Sequence, residues 1–169
     1  IRRYKREDKT SGSGALRGEL LNAMASLCAQ SVYKTEAAKR FKPLFQQALS
    51  DDTDLVREAA VDGLIYIDKA RALKTFRTVL INDSSSKVRE RLINLAGEVG
   101  GKEDLNWLAE KMAATPEGES AWQAMLKIFR RSDAAVLTDW LQRFAAANSN
   151  RLSDEQMISL LKIAERRAL

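Results

Sequence analysis

Arg17, Arg57 and Arg89 each stand one place after a leucine or valine that begins an apolar helical stripe. A guanidinium carries a rigid fork of N–H donors that fits phosphate or carboxylate oxygens. Three of them at one register are a candidate phosphate-binding row, or a purely structural set. Asp51, Asp52 and Asp54 bring carboxylates together, but the Asp-x-Asp-x-Asp-Gly spacing and closing glutamate of a calcium loop are missing. Aspartates at such a place form turns and cap helix N-termini. Trp107, Trp122 and Trp140 carry rings that can stack on bases. They fall at or beside apolar-periodic positions, so they are expected in the core, with Trp122 the most exposed of the three.

Catalytic constellations are missing. The chain has no histidine, which excludes a nucleophile–histidine pair. Its one cysteine, Cys28, lies on an apolar helix and reads as a small core residue. No histidine and a single cysteine leave no usual zinc ligand set. SGSG at 11–14 lacks the Gly-Lys-Ser/Thr of a phosphate loop. The expectation is a protein with no metal and no cofactor, and not an enzyme.

Helices must position whatever these residues do. Good helix formers are abundant, only Pro43 and Pro116 interrupt them, and period-2 alternation is missing, so an all-α chain is expected. Residues 51–67, DDTDLVREAAVDGLIYI, supply a template: a polar turn, Val-Arg, then an apolar face at Val56, Ala60, Leu64 and Ile67. Residues 86–99 copy it 32 places on, with Val88-Arg89 over Val56-Arg57. Residues 15–29 carry it with Leu16, Arg17, Leu20, Met24 and Leu27 in the matching places. Residues 119–131 and 153–167 hold weaker copies, in which LLKIA echoes MLKIF at an offset of 35. First helices are expected between them at 34–49, 69–82, 103–114 and 134–147. Pro43 falls inside the first of these, where the missing N–H kinks a helix. Copies about 40, 32, 33–34 and 35 residues apart are the signature of a helical solenoid. One hairpin cannot bury both its apolar faces, whereas stacked hairpins make one continuous core.

The turn, Val-Arg, small apolar, leucine pattern of DDTDLVREAAVDGL and SSSKVRERLINLAG resembles HEAT repeats, closely over 34–100 and loosely over 15–31 and 101–169. Pro43 fits the kinked first helix of that family. The resemblance implies an all-α fold: a right-handed, armadillo-like solenoid of HEAT-like hairpins with about nine helices. It implies a polar ladder between successive repeats, in which Asp51, Asp52 or Asp83 pairs with Arg57 or Arg89, with Arg17 at the same register. It also implies a concave face that binds protein or peptide. A minority of the family contacts nucleic-acid backbones, and a few members are enzymes.

A helical wheel centred on Val56, Ala60 and Leu64 puts Glu58, Asp62 and Ile65 opposite the core. The equivalent places are Gly18, Asn22 and Ala25, then Glu90, Asn94 and Gly97, then Gln123, Lys127 and Arg130, and finally Lys162. If second helices line the concave face, a polar row runs Asn22, Asp62, Asn94, Lys127, Lys162. It changes from neutral and acidic to basic, and its amides can hydrogen-bond an extended peptide.

The formal charge is +5, and residues 1–9 hold five basic and two acidic residues, a net of +3. One cysteine permits no intrachain disulfide and fits a reducing compartment. No apolar run reaches the roughly 18–20 residues of a membrane span. A cytoplasmic location is therefore expected. Because Ile1 is not a start methionine, the chain reads as a fragment, and IRRYKRE would suit the cytoplasmic flank of an upstream membrane helix. Residues 1–14 are expected to be a basic tail and turn or linker, and 15–169 one rigid repeat domain. The expected function is a non-catalytic scaffold for a protein or peptide. One alternative is nucleic-acid backbone binding through the tail and Lys127, Arg130, Arg131, Lys162, Arg166 and Arg167. The other is the cytoplasmic interaction domain of a membrane protein. The oligomeric state is open.

Overall fold

A computed structural model describes residues 11–30, 34–114, 116–147 and 152–168. The basic tail lies outside these residues. Among them the chain is all-α, a succession of HEAT-like helical hairpins. The helices are α1 (Ser11–Ala29), α2 (Lys34–Ala48), α3 (Asp54–Asp68), α4 (Ala70–Leu80), α5 (Ser86–Val99), α6 (Leu105–Ala114), α7 (Gly118–Arg131), α8 (Ala134–Ala147) and α9 (Asp154–Ala168). A single 3-10 turn, Lys102–Asp104, precedes α6. No helix among the described residues is long and apolar enough to cross a membrane.

The connections follow from local chemistry. Lys69 alone separates α3 from α4, and its φ of 50° is a left-handed conformation that ends one helix and redirects the chain into the next. Ahead of α3, the Asp51 carboxylate accepts the Thr53 N–H at 3.0 Å, closing a tight polar turn. Asp83 does the same for Ser85 at 2.9 Å ahead of α5. Thr53 is the N-cap residue of α3 and its own side chain makes no capping bond, while the Asp54 carboxylate accepts the first-turn N–H of Leu55 at 2.8 Å, so Asp51 shapes the turn and Asp54 serves the helix start. Ser153 and Gln156 make a reciprocal capping box at the start of α9, at 3.0 and 3.2 Å.

SGSG at 11–14, expected to be a turn or linker, is the first turn of α1. Ser13 and Gly14 serve packing. A Cβ at Gly14 would lie 2.6 Å from the Thr53 hydroxyl, so the helix approaches the next repeat's turn closely at this point. The Ser13 hydroxyl accepts from Arg17 at 2.6 Å.

The chain's internal contacts gather in two units, residues 1–92 and 93–169, divided within α5. In the first, α1 packs along α3, and α2 packs against both. Leu21, Met24, Cys28, Phe45, Val56, Ala60, Leu64, Leu73 and Phe76 form its core. Burial raises the Cys28 thiol pKa above its ordinary value. Phe45 is fully buried against Gly63, where a Cβ would run into its ring. In the second unit α6 packs on α7, and α9 contacts α8 and α7. Met125, Ile128, Phe129, Leu137 and Leu160 are buried there. Trp140 sits between Phe129 (centroids 5.1 Å apart) and Phe144 (4.4 Å, stacked). Its indole N–H donates to the Asn106 side chain at 3.2 Å, so a large apolar surface is buried with its polar edge satisfied. Trp122, expected to be the most exposed tryptophan, is buried with the other two.

The apolar face is wider than the wheel implied. In α3, Val56, Arg57, Ala59, Ala60, Val61, Gly63, Leu64 and Ile65 are all buried, while Ile67, placed on the core face, is half-buried. In α1, Leu27 is 40% exposed and Ala25 only 3%, the reverse of expectation. A second helix in a stack touches its own first helix and its neighbouring second helices, so one stripe does not describe it.

The close Phe45–Gly63 contact has a measurable consequence. Gly63→Ala has to displace a fully buried ring, a cost of about 1–3 kcal/mol that exceeds the helix-propensity gain of up to about 1 kcal/mol. At Gly18 a Cβ would meet Leu55 at an ordinary 3.5 Å, so Gly18→Ala is expected to stabilise. Urea denaturation of both variants checks the contrast, and midpoints shifting in the same direction would contradict it.

Candidate functional site

The recurring arginines are engaged by the turns of the fold. Arg57 is 9% exposed. Its Nε and Nη2 donate to the two carboxylate oxygens of Asp83, each at 2.7 Å. Its Nη1 donates to the carbonyls of Asp51 at 2.8 Å and Asp52 at 3.1 Å. One guanidinium thus ties the turn before its own helix to the turn before the next second helix. Arg17, buried in α1, donates to the Asp51 carboxylate at 2.8 Å. Arg89 repeats the own-turn half of the arrangement, donating through Nη1 to the carbonyls of Asp83 and Ser84. With their forks filled from inside the chain, Arg17 and Arg57 present no open phosphate row.

Asp83 titrates accordingly. Burial alone would raise its carboxyl, but the hydrogen bonds from Arg57 and from the Ser85 N–H, with the attraction of Arg57 and Arg89, outweigh burial and hold it below the usual carboxylate range. The same hydrogen bond, donated to Asp83, raises the Arg57 guanidinium, against burial.

The predicted binding residues separate into three groups. In the first unit, Asn22 of α1 and Glu58 and Asp62 of α3 line one depression of about 220 Å³, together with Ala15, Gly18, Glu19, Leu55 and Ala59. Residues from two repeats, 36 to 40 places apart in sequence, therefore share one groove. One oxygen of the Asp62 carboxylate is already engaged. Arg91 of α5 holds it, Nη2 to Oδ1 at 2.6 Å. Glu90 is exposed on α5 and is not among the groove-lining residues.

The second group is a correction. Ile65 was placed on the solvent side, and it is buried. The equivalent Ala25 and Gly97 are buried too. At Gly97 a Cβ would lie 2.7 Å from the Ala124 Cα of α7, so this column is where second helices approach one another and leaves no surface for a partner. The Lys127 stem passes over the same glycine, leaving an exposed ammonium. Asn94 is half-buried.

The third group lies in the second unit. Arg130 of α7 and Lys162 of α9 line a cleft of about 370 Å³ with Leu126, Ser159, Ile163 and Arg166. Arg131, a candidate for nucleic-acid contact, donates instead to the carbonyls of Gly97 and Gly100, the latter at 3.0 Å. It closes the C-terminus of α5, whose last carbonyls need partners.

Sequence reasoning missed Leu55, which is 48% exposed and lines the groove. A leucine one place before the Val-Arg pair was the available signal. It also missed Ser159 and Ile163, because the register of the last helix was loose. Among the described residues no three His, Cys, Asp or Glu side chains come together to hold a metal ion.

The Arg57–Asp83 pair makes stability acid-sensitive. A carboxyl whose folded pKa is depressed contributes stability above its unfolded value, near 3.9, and that contribution is lost as pH falls through the lower folded value. At neutral pH, Asp83→Asn is expected to cost about 1.5–3 kcal/mol, the range for a hydrogen bond to a charged group. The gap between wild type and variant narrows below about pH 4. Urea denaturation at pH 7 and pH 3 measures it, and a gap that stays constant would show that the charge contributes nothing.

The family model described as HEAT repeats matches residues 41–127, just over half of the chain. The match runs from α2 through most of α7. No curated protein and no solved structure gives a significant match.

Proposed function

Because this chain belongs to the HEAT-repeat family, we propose that it is a non-catalytic scaffold that holds a protein or peptide segment on the edges of its second helices. Repeats of this family are typically protein-interaction scaffolds. The observation that carries the reading is the α1–α3 groove. It brings Asn22, Glu19 and Glu58 to the rim over a floor that includes Gly18 and Ala59. Small floor residues let a backbone approach. The Asn22 amide is exposed and can donate and accept at once, which suits a peptide main chain. Leu55 supplies an apolar contact beside these polar groups.

The groove is smaller than the roughly 300–1,000 Å³ of a typical small-molecule pocket. It suits a short stretch of a larger partner better than an enclosed ligand. Its walls are held before binding by Arg17 on Asp51, by Arg57 on Asp83 and by Arg91 on Asp62. A partner therefore meets a surface whose ordering cost has been met on folding, which favours affinity without a large area.

The test uses a photo-crosslinking amino acid placed singly at Asn22, Glu58 and, as a control, Thr78, which is exposed on α4. In extracts of the source cells, adducts to the same partner are expected from Asn22 and Glu58 and not from Thr78. Equal adducts from all three positions, or none from Asn22 and Glu58, would sink the reading.

A further inference from the structure

We propose that the α1–α3 groove takes a basic peptide segment of a partner, with an apolar residue two places from a lysine or arginine. The inference rests on the reading of this groove as a partner-binding site and names the chemistry of the segment it accepts.

The charge of the groove has one sign. Glu19, Glu58 and Asp62 line it, and no cation does. Asp62 counts for little, because Arg91 donates to its Oδ1 through both Nε and Nη2. Glu19 and Glu58 are different. Neither has a hydrogen-bond or ion-pair partner among the described residues, and Glu19 is exposed and Glu58 half-buried. Neither serves its own helix dipole, which favours a carboxylate only in the first turn. Glu19 is the ninth residue of α1 and Glu58 the fifth of α3. Two whole negative charges on facing walls are left for a cationic partner, by charge complementarity.

Leu55 and Asn22 make that partner a peptide. Leu55 is 48% exposed in the groove wall, an apolar contact for which a metal ion or a simple ammonium ion has no use. It stands beside Gly18, where a Cβ would lie 3.5 Å away, so the floor under it is open to a side chain. Asn22 spends its backbone carbonyl on the Ser26 hydroxyl at 3.0 Å. Its side-chain amide has no partner among the described residues and can both donate to and accept from a main chain. From Leu55 to Glu58 the helix rises about 5 Å, close to the roughly 7 Å between same-side residues of an extended chain. An apolar and a basic residue two places apart therefore reach Leu55 and the glutamates together.

The experiment is an NMR titration of the isotope-labelled full chain. The probe is a serine–glycine peptide carrying one leucine and, two places on, one arginine. Saturable shifts are expected at the amides of Gly18, Asn22 and Glu58, and none at Thr78. Glu19→Gln with Glu58→Gln is expected to weaken binding roughly fivefold, and Leu55→Ser several-fold. Glu19→Lys with Glu58→Lys is expected to lose the arginine peptide and to gain one with glutamate in its place. Urea denaturation checks that each variant keeps the fold. Binding indifferent to Glu19 and Glu58 overturns the proposal, as does a glutamine-for-arginine peptide that binds equally well. Binding that appears only once Arg2, Arg3, Lys5 and Arg6 are all changed to glutamine overturns it too, in favour of the chain's own N-terminal segment as the occupant. A basic peptide that fails to bind, while Asn22 and Glu58 still cross-link a partner, overturns the basic chemistry and leaves the scaffold reading standing.

Discussion

The first unit depends on one bidentate ion pair, Arg57 with Asp83. Its strength comes from geometry and burial together. Both oxygens of the carboxylate meet a guanidinium fork at 2.7 Å, and the side chains are 11% and 6% exposed. An exposed pair of the same residues would be worth little. Here the remaining guanidinium nitrogen is spent on two carbonyls and the remaining carboxylate capacity on the Ser85 N–H. Almost nothing polar is left unsatisfied, which is the condition under which a buried pair offsets its desolvation. A helix pair packed only by apolar contact could slide by a turn. The fork fixes the register between successive turns.

That constraint decides what remains for function. Once second helices are held side by side, their flanks are buried, and only a narrow edge faces outward. In α3 that edge is Leu55, Glu58, Asp62 and Tyr66. The side chains engaged in the ladder, Arg17, Arg57, Asp51 and Asp83, are held inside the chain and are not part of that edge.

The second unit is held by other means. An aromatic cluster of Phe129, Trp140 and Phe144 fills its core. Arg131 closes α5 by bonding to open carbonyls. The Trp107 indole and the Gly101 N–H both donate to Asp104. Here the arginine template has faded from the sequence, and packing of large rings does the work of the ladder. The surface chemistry differs as well, with the acidic rim of the α1–α3 groove on one unit and the basic α7–α9 cleft on the other.

Composition and periodicity determined the all-α class and the positions of the helical hairpins, because those depend on local propensity and on which residues are apolar every third or fourth place, while the repeat family rested on the resemblance carried by DDTDLVREAAVDGL and SSSKVRERLINLAG. Periodicity located Arg17, Arg57 and Arg89 as one repeated register. It placed the starts and ends of most helices within one or two residues. It failed where a residue's fate depends on neighbours far along the chain. SGSG looks like a linker until Thr53 packs on Gly14. Ile65 looks exposed until second helices close over that flank. Asp62 looks available until Arg91 reaches it. Asn22 and Glu58 are ordinary polar residues until stacking makes them two walls of one groove. Each of these was decided by tertiary structure, because the width of a buried face is set by how many helices touch it, and no single helix carries that number in its own sequence.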